Sequence, residues 1–200
     1  MWRALVTMLL ASATCLAAQD THSHPPPERL GDVSFPISCN PAVQQPFDRG
    51  VALLHSFAYA SAEAEFRGVA QRDSGCAIAH WGIAMTHFHQ LWEPALPPSE
   101  ISSARKEIEQ AGQLGGGSQR EREFISALAL IFESADTIPY RTRVLKYADA
   151  MRDLAAKNGE DVEAQVFYAL ALLASASPAD KTHARQKQAV DLLEPLFRAH

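Results

Sequence analysis

Past residue 44, apolar side chains recur at intervals of three and four, the period that gives a helix one buried face. Phe47, Val51, Leu54 and Ala58 predict a first helix over roughly 45–58, and Ala62, Phe66, Val69 and Ala70 predict its partner over 60–73. Ile78, Trp81, Met85 and Phe88 predict a third over 76–90. The proline-rich stretch 93–98 interrupts the pattern. Ser99 is then placed to cap a helix carrying Ile101, Ala104, Ile108 and Ala111, which the glycines at 115–117 end. Ser118 and Glu121 form a capping box, each satisfying a backbone N–H of the other, in front of Phe124, Leu128, Ile131 and Phe132. Pro139 opens a sixth helix with Tyr140, Val144, Tyr147, Met151 and Leu154, and Asn158-Gly159 stops it. A seventh, over 160–174, holds Val162, Val166, Leu170 and Leu173. An eighth, over 179–199, holds Leu192, Leu193, Leu196 and Phe197, with Pro195 kinking or ending it. No stretch alternates with period two for long enough to predict a strand. The fold class is therefore all-α.

The small and large residues are placed for close packing. Ala62 is followed four positions later by Phe66, and the next helix carries the bulky-plus-glycine pair Trp81-Gly82. Such spacing lets two helices cross closely and lets the next pack on the pair, the signature of a stacked helix-pair repeat. Eight helices make four antiparallel pairs, starting near 45, 76, 119 and 160, in steps of about 30 to 43 residues. The expected architecture is a right-handed superhelical stack, an α-solenoid over 45–200, with Ala62, Phe66, Trp81 and Gly82 as packing residues. The pattern runs out inside a helix, at Leu196-Phe197-Arg198-Ala199-His200, with no polar capping helix. This predicts that the stack continues beyond the chain end or is covered by a partner.

The first 18 residues read differently. Arg3 and the amino terminus supply positive charge, 4–17 is an apolar run shorter than the roughly 20 residues that span a bilayer, and Ala17 and Ala18 follow Cys15. This is the form of a secretory signal peptide cleaved after Ala17 or Ala18; the alternative is a buried amino-terminal helix. A periplasmic or secreted location is the consequence, with no transmembrane segment in the mature chain. Residues 19–44 are rich in Pro, His, Ser and Gln, and Pro25-Pro26-Pro27 cannot be helical, so an extended, partly mobile arm is expected. Its Thr21-His22-Ser23-His24 cluster reads as solvated tail before it reads as a metal contact.

The chain carries a net charge of −5, and loss of Arg3 with the leader makes it more negative. Its charges are dispersed along helices. That excludes nucleic acid, which selects clustered cations, and anionic membrane surfaces. Of three cysteines, Cys39 and Cys76 remain after cleavage. Cys39 lies just before the first helix and Cys76 just after its antiparallel partner, so both sit at one end of the hairpin. In an oxidising compartment they can pair; the alternative is two independent thiols. A bridge would close a loop of about 36 residues and contribute roughly 3–4 kcal/mol on the chain-entropy estimate.

Candidate chemistry is sparse. His80, His87 and His89 lie close together, with His55 on the first helix and Glu93 nearby, and imidazoles bind zinc or copper well. Ligands on one helix face need spacings of three or four, which these histidines lack. The competing reading has His55 and His80 packed and hydrogen-bonded, with His87 and His89 lining a helix end. Trp81, Trp92, Phe88 and Tyr59 form an aromatic set, most of it core. Trp92, in a loop beside His and Glu, has the character of an interface anchor. No Gly-x-Ser-x-Gly element, phosphate-cradling loop or Cys-x-x-Cys is present, and Gly115-Gly116-Gly117-Ser118 has no strand before it and no Lys to meet a phosphate. Glu121, Glu123 and Glu133 read as helix surface charges.

With Ala62, Phe66 and Val69 followed by Trp81-Gly82, the chain resembles a tetratricopeptide repeat. More narrowly, it resembles a family of exported bacterial proteins built on such repeats. That likeness is carried by Phe47-Asp48-Arg49-Gly50, Leu54-His55-Ser56-Phe57, the run from Cys76 to Met85, and His89-Gln90-Leu91-Trp92. It is carried later by Phe167-Tyr168-Ala169-Leu170-Ala171-Leu172, Asp180-Lys181-Thr182 and Leu193-Glu194-Pro195-Leu196-Phe197. It covers most of the chain after about residue 35, although the later steps depart from the repeat length of roughly 34. The resemblance implies a scaffold with no established reaction, in proteins longer than this chain. The expected function is binding of a protein or peptide through His55, Tyr59, His87, His89 and Trp92, with no catalytic residue, cofactor or metal. The alternative is a metal-binding protein or metal-dependent enzyme using His55, His87, His89 and Glu93. A third reading is a structural subdomain whose working site lies after His200.

Overall fold

The computed structural model describes residues 30–91 and 96–199. The stretch read as a signal peptide, the His22–His24 cluster, Trp92 and Glu93 lie outside them. The described residues form eight α-helices: α1 (Gln44–His55), α2 (Tyr59–Arg72), α3 (Ala77–Thr86), α4 (Pro98–Leu114), α5 (Gln119–Phe132), α6 (Tyr140–Lys157), α7 (Val162–Ala174) and α8 (Ala184–Ala199), with a short 3-10 turn over Pro41–Val43. There is no strand among the described residues, so the all-α expectation holds.

Local chemistry sets where these helices begin and end. The capping box forms as expected: Ser118 Oγ accepts from Glu121 N at 3.2 Å while the Glu121 carboxylate accepts from Ser118 N. Asp161 caps α7 by accepting from Ala164 N at 3.1 Å. Gly115 closes α4 at φ 59°, a left-handed conformation that favours glycine. Four boundaries differ from expectation. α1 stops at His55, short of residue 58, because Phe57 takes φ 58° and breaks the ladder. α3 stops at Thr86, short of residue 90, and its last turn tightens as His87 N donates to Ala84 O. Ser99 caps nothing: α4 starts one residue earlier at Pro98, whose missing N–H costs nothing in a first turn. α8 starts at 184 instead of 179, because Asp180 accepts from Thr182 N and Ala184 N and holds a turn there. Pro195 lies inside α8 and does not end it.

Each helix packs on the next along the chain; α3 also meets α1 and α5, and the Phe124 and Phe167 rings, 5.8 Å apart, join α5 to α7. The odd-numbered helices thus form an inner row, with the even-numbered ones outside it. The Ala62, Phe66, Trp81-Gly82 pattern acquires a concrete meaning. Phe66 of α2 wedges between α1 and α3, where a Cβ on Gly50 would fall 2.6 Å from its ring and one on Gly82 2.5 Å. Glycine at both positions is what lets the ring enter. Ala62, one turn earlier on the same face, is fully buried. Trp81 faces the middle of the inner row, where its ring meets those of Phe35, Phe124 and Phe167.

The middle of that row is filled by the arm. Phe35 is fully buried, with ring centroids 5.2 Å from Phe47, 5.4 Å from Trp81, 4.9 Å from Phe124 and 6.4 Å from Phe167. Those four rings come from α1, α3, α5 and α7 in turn. Part of the stretch read as an arm is therefore the hub on which the inner helices converge.

Candidate functional site

Proline at 36 and the absence of any helical partner leave residues 30–37 without turn or bend, so their backbone groups cannot satisfy one another. From 35 to 38, side chains of the inner helices do it instead. Phe35 N donates to Asp48 Oδ1 at 2.9 Å, and Gln44 Nε2 donates to Phe35 O at 2.8 Å. The same Gln44 accepts from Ile37 N through Oε1 at 3.1 Å. Arg120 donates to Pro36 O at 3.3 Å, and Glu121 accepts from Ser38 N at 2.8 Å and from Ser38 Oγ at 2.5 Å. Glu121 is almost fully buried, which corrects its reading as a surface charge. Its carboxylate is affordable there because three donors meet it. Asp48, Gln44, Arg120 and Glu121 together form a clamp that holds mainly main chain, with the Ser38 hydroxyl as its one side-chain hydrogen bond.

Just downstream, Cys39 and Cys76 form a disulfide. With the second helix running back along the first, both ends of the hairpin meet there as expected. The bond ties the arm to the start of α3. It fits an oxidising, non-cytoplasmic setting, and among the described residues no helix is long and apolar enough to cross a membrane.

Beside the clamp lies an open cleft of about 1220 Å³, above the roughly 300–1,000 Å³ typical of small-molecule pockets. Residues 31–34 of the arm form one rim, Ala52 and His55 of α1 lie at its floor, and Val166 of α7 with Leu193, Leu196 and Phe197 of α8 form an apolar wall. The charged groups on it are mostly engaged. His55 Nε2 sits 2.8 Å from Glu163 Oε2 and links α1 to α7, while its ring packs 5.1 Å from Phe167. Arg120 holds Asp161 bidentately, and its guanidinium lies 4.0 Å over the Phe35 ring. Lys157 meets Glu123 at 2.8 Å. The Gln119 amide and then the Lys157 ammonium hold the Glu123 carboxyl below the ordinary range, and the same bond raises Lys157.

The residues expected to bind are dispersed. Of those among the described residues, only His55 lines the cleft. Tyr59 and His89 stack on each other at 4.2 Å, with His89 Nε2 3.1 Å from Thr86 O. His87 is turned onto Glu100 and His80 onto Glu107. The aromatic set also separates: Trp81 joins the Phe35 hub, and Phe88 packs on Phe132 and Tyr147. Among the described residues, the group of three with ligand atoms close enough to share a metal is Cys39, Asp73 and Cys76, and its two sulfurs are bonded to each other.

Phe35, Gln44 and Arg120 went unread in the sequence; Asp48 entered only through the family resemblance, and Glu121 only as a cap and surface charge. One signal was present: Val33, Phe35 and Ile37 alternate with period two inside the proline-rich stretch, the mark of an extended segment with one buried face. No family model, curated protein or solved structure matches this chain.

Proposed function

We propose that this chain is an exported scaffold whose helix pairs wind into a right-handed, tetratricopeptide-like superhelix. It holds an extended protein or peptide segment in the part of the inner trough that the arm leaves open, between residues 31–34, α1, α7 and α8, and carries out no chemistry on what it holds. The observation that carries this reading is the grip on residues 35–38: one buried ring at the convergence of four helices, with the main chain from Phe35 to Ser38 bonded by side chains of α1 and α5. A surface that already binds one extended segment in this way, and has an open cleft alongside, is suited to a second. The disulfide and the leader-like first 18 residues support a periplasmic or secreted location.

Selection from a random decapeptide library tests the proposal. Wild-type protein enriches saturable binders that leave the library unmodified, and a Val166→Trp variant, which sets a large ring in the apolar wall of the cleft, retains them less well. No enrichment, or equal retention by the variant, contradicts it.

A further inference from the structure

The arm contributes more than its buried ring. Residues 31–34 form a rim of the cleft, and the chain is fixed twice immediately after them, by Phe35 in the hub and by Cys39 in the disulfide. Among the described residues, no backbone N–H or C=O of 31–34 makes a hydrogen bond, in contrast to 35–38. Helices present no such groups on their flanks, because their backbone bonds are internal. An unbent stretch with unpaired main-chain groups, held rigidly at one end, is an edge to which another extended chain can add.

The rest of the cleft says what kind of chain. Successive side chains of an added strand point to opposite faces, so every second one would meet the apolar wall of Val166, Leu193, Leu196 and Phe197. The intervening ones would meet charge. Arg120 is taken by Asp161, Lys157 by Glu123, and Glu163 by His55. Asp32 and Glu160 remain: both are exposed, both line the cleft, and neither makes an ion pair among the described residues. An acidic ligand would face two unbalanced carboxylates.

We propose that the cleft takes an extended peptide in which apolar and basic side chains alternate, added as a strand to residues 31–34, with its basic groups at Asp32 and Glu160. The proposal rests on the trough reading and narrows its ligand.

The test uses the full chain and three fluorescein-labelled decapeptides: alternating valine and lysine, the same with glutamate for lysine, and the lysine peptide methylated at each backbone nitrogen, which removes its N–H donors. Anisotropy titration should give saturable binding of the lysine peptide alone. That binding should weaken about tenfold or more in a D32K/E160K variant, since two exposed contacts change sign. Equal binding of the glutamate peptide, no change in the variant, or indifference to N-methylation overturns this inference and leaves the trough reading standing. Absence of saturable binding by all three, together with an empty library selection, overturns both.

Discussion

The two ends of the helix row use the same apolar period to opposite effect. At the amino-terminal end, α1, α2 and α3 close around Phe66, and every residue of α3 except His80 is buried. At the other end, Ala189 is the one buried residue of α8, while Phe197 is 86 % and Val190 58 % exposed. A stripe of leucines therefore does not by itself say whether a helix face is core or wall. The neighbours decide: Phe66 has two glycines to enter between, whereas Leu193, Leu196 and Phe197 face a cleft. The closed end fixes the arm and the open end leaves room beside it.

Substitutions at the two ends should separate most widely at the hub. Phe35→Ala removes a ring shared by four inner helices and should cost about 3–5 kcal/mol in urea unfolding, against less than about 0.5 kcal/mol for Phe197→Ala. Equal costs would erase the contrast. Next in size is the disulfide. Cys39→Ser with Cys76→Ser should lose roughly 3–4 kcal/mol by releasing the unfolded chain from its loop, and a loss well under 1 kcal/mol would mean that the hub alone secures the arm.

Glycine substitutions sharpen the comparison further, because their sign should change with position. Gly82→Ala sets a methyl against the Phe66 ring and should destabilise by about 1–3 kcal/mol. Gly112→Ala, in α4 with nothing within 4 Å of the added carbon, should stabilise by about 0.5–1 kcal/mol through helix propensity. Thermal melts of the pair check both signs at once. The smallest effect is electrostatic. The Glu123 carboxyl is held low in the folded state, so its contribution is present above the unfolded carboxylate pKa and is lost as pH falls through the folded value. Glu123→Gln should flatten that part of the stability profile slightly, and an unchanged acid limb would show that the contacts with Gln119 and Lys157 contribute nothing.

Much of the helical layout was readable locally. The cap at Ser118 and the glycine stop at 115 depend on a few neighbouring residues, and the apolar stripes need only a helical period. The Phe66–Gly82 packing was half readable: Gly82 stands beside Trp81 in the pattern, but Gly50, equally necessary, gave no such mark. The clamp was not readable, for two reasons. Proline and histidine around residues 19–44 give the stretch a disordered composition that hides the Val33, Phe35, Ile37 alternation. Its α5 half is also remote, with Ser38 and Glu121 separated by 83 residues; the His55–Glu163 pair beside it spans 108. Such pairs depend on how far the row curls back on itself, which no local period specifies. The misplaced start of α8 is the converse case: Asp180 competes for the backbone locally and delays the helix.

Amide hydrogen exchange along the arm tests the grip most directly. Phe35, Ile37 and Ser38, whose N–H groups donate to Asp48, Gln44 and Glu121, should exchange only with opening of the inner row, orders of magnitude more slowly than an unstructured peptide. Asp32, Val33 and Ser34 should exchange fast in the free protein. Free-peptide rates at Phe35, Ile37 and Ser38 would mean that no trough holds the arm, and the account of this molecule as a holder of extended chain would fail with it.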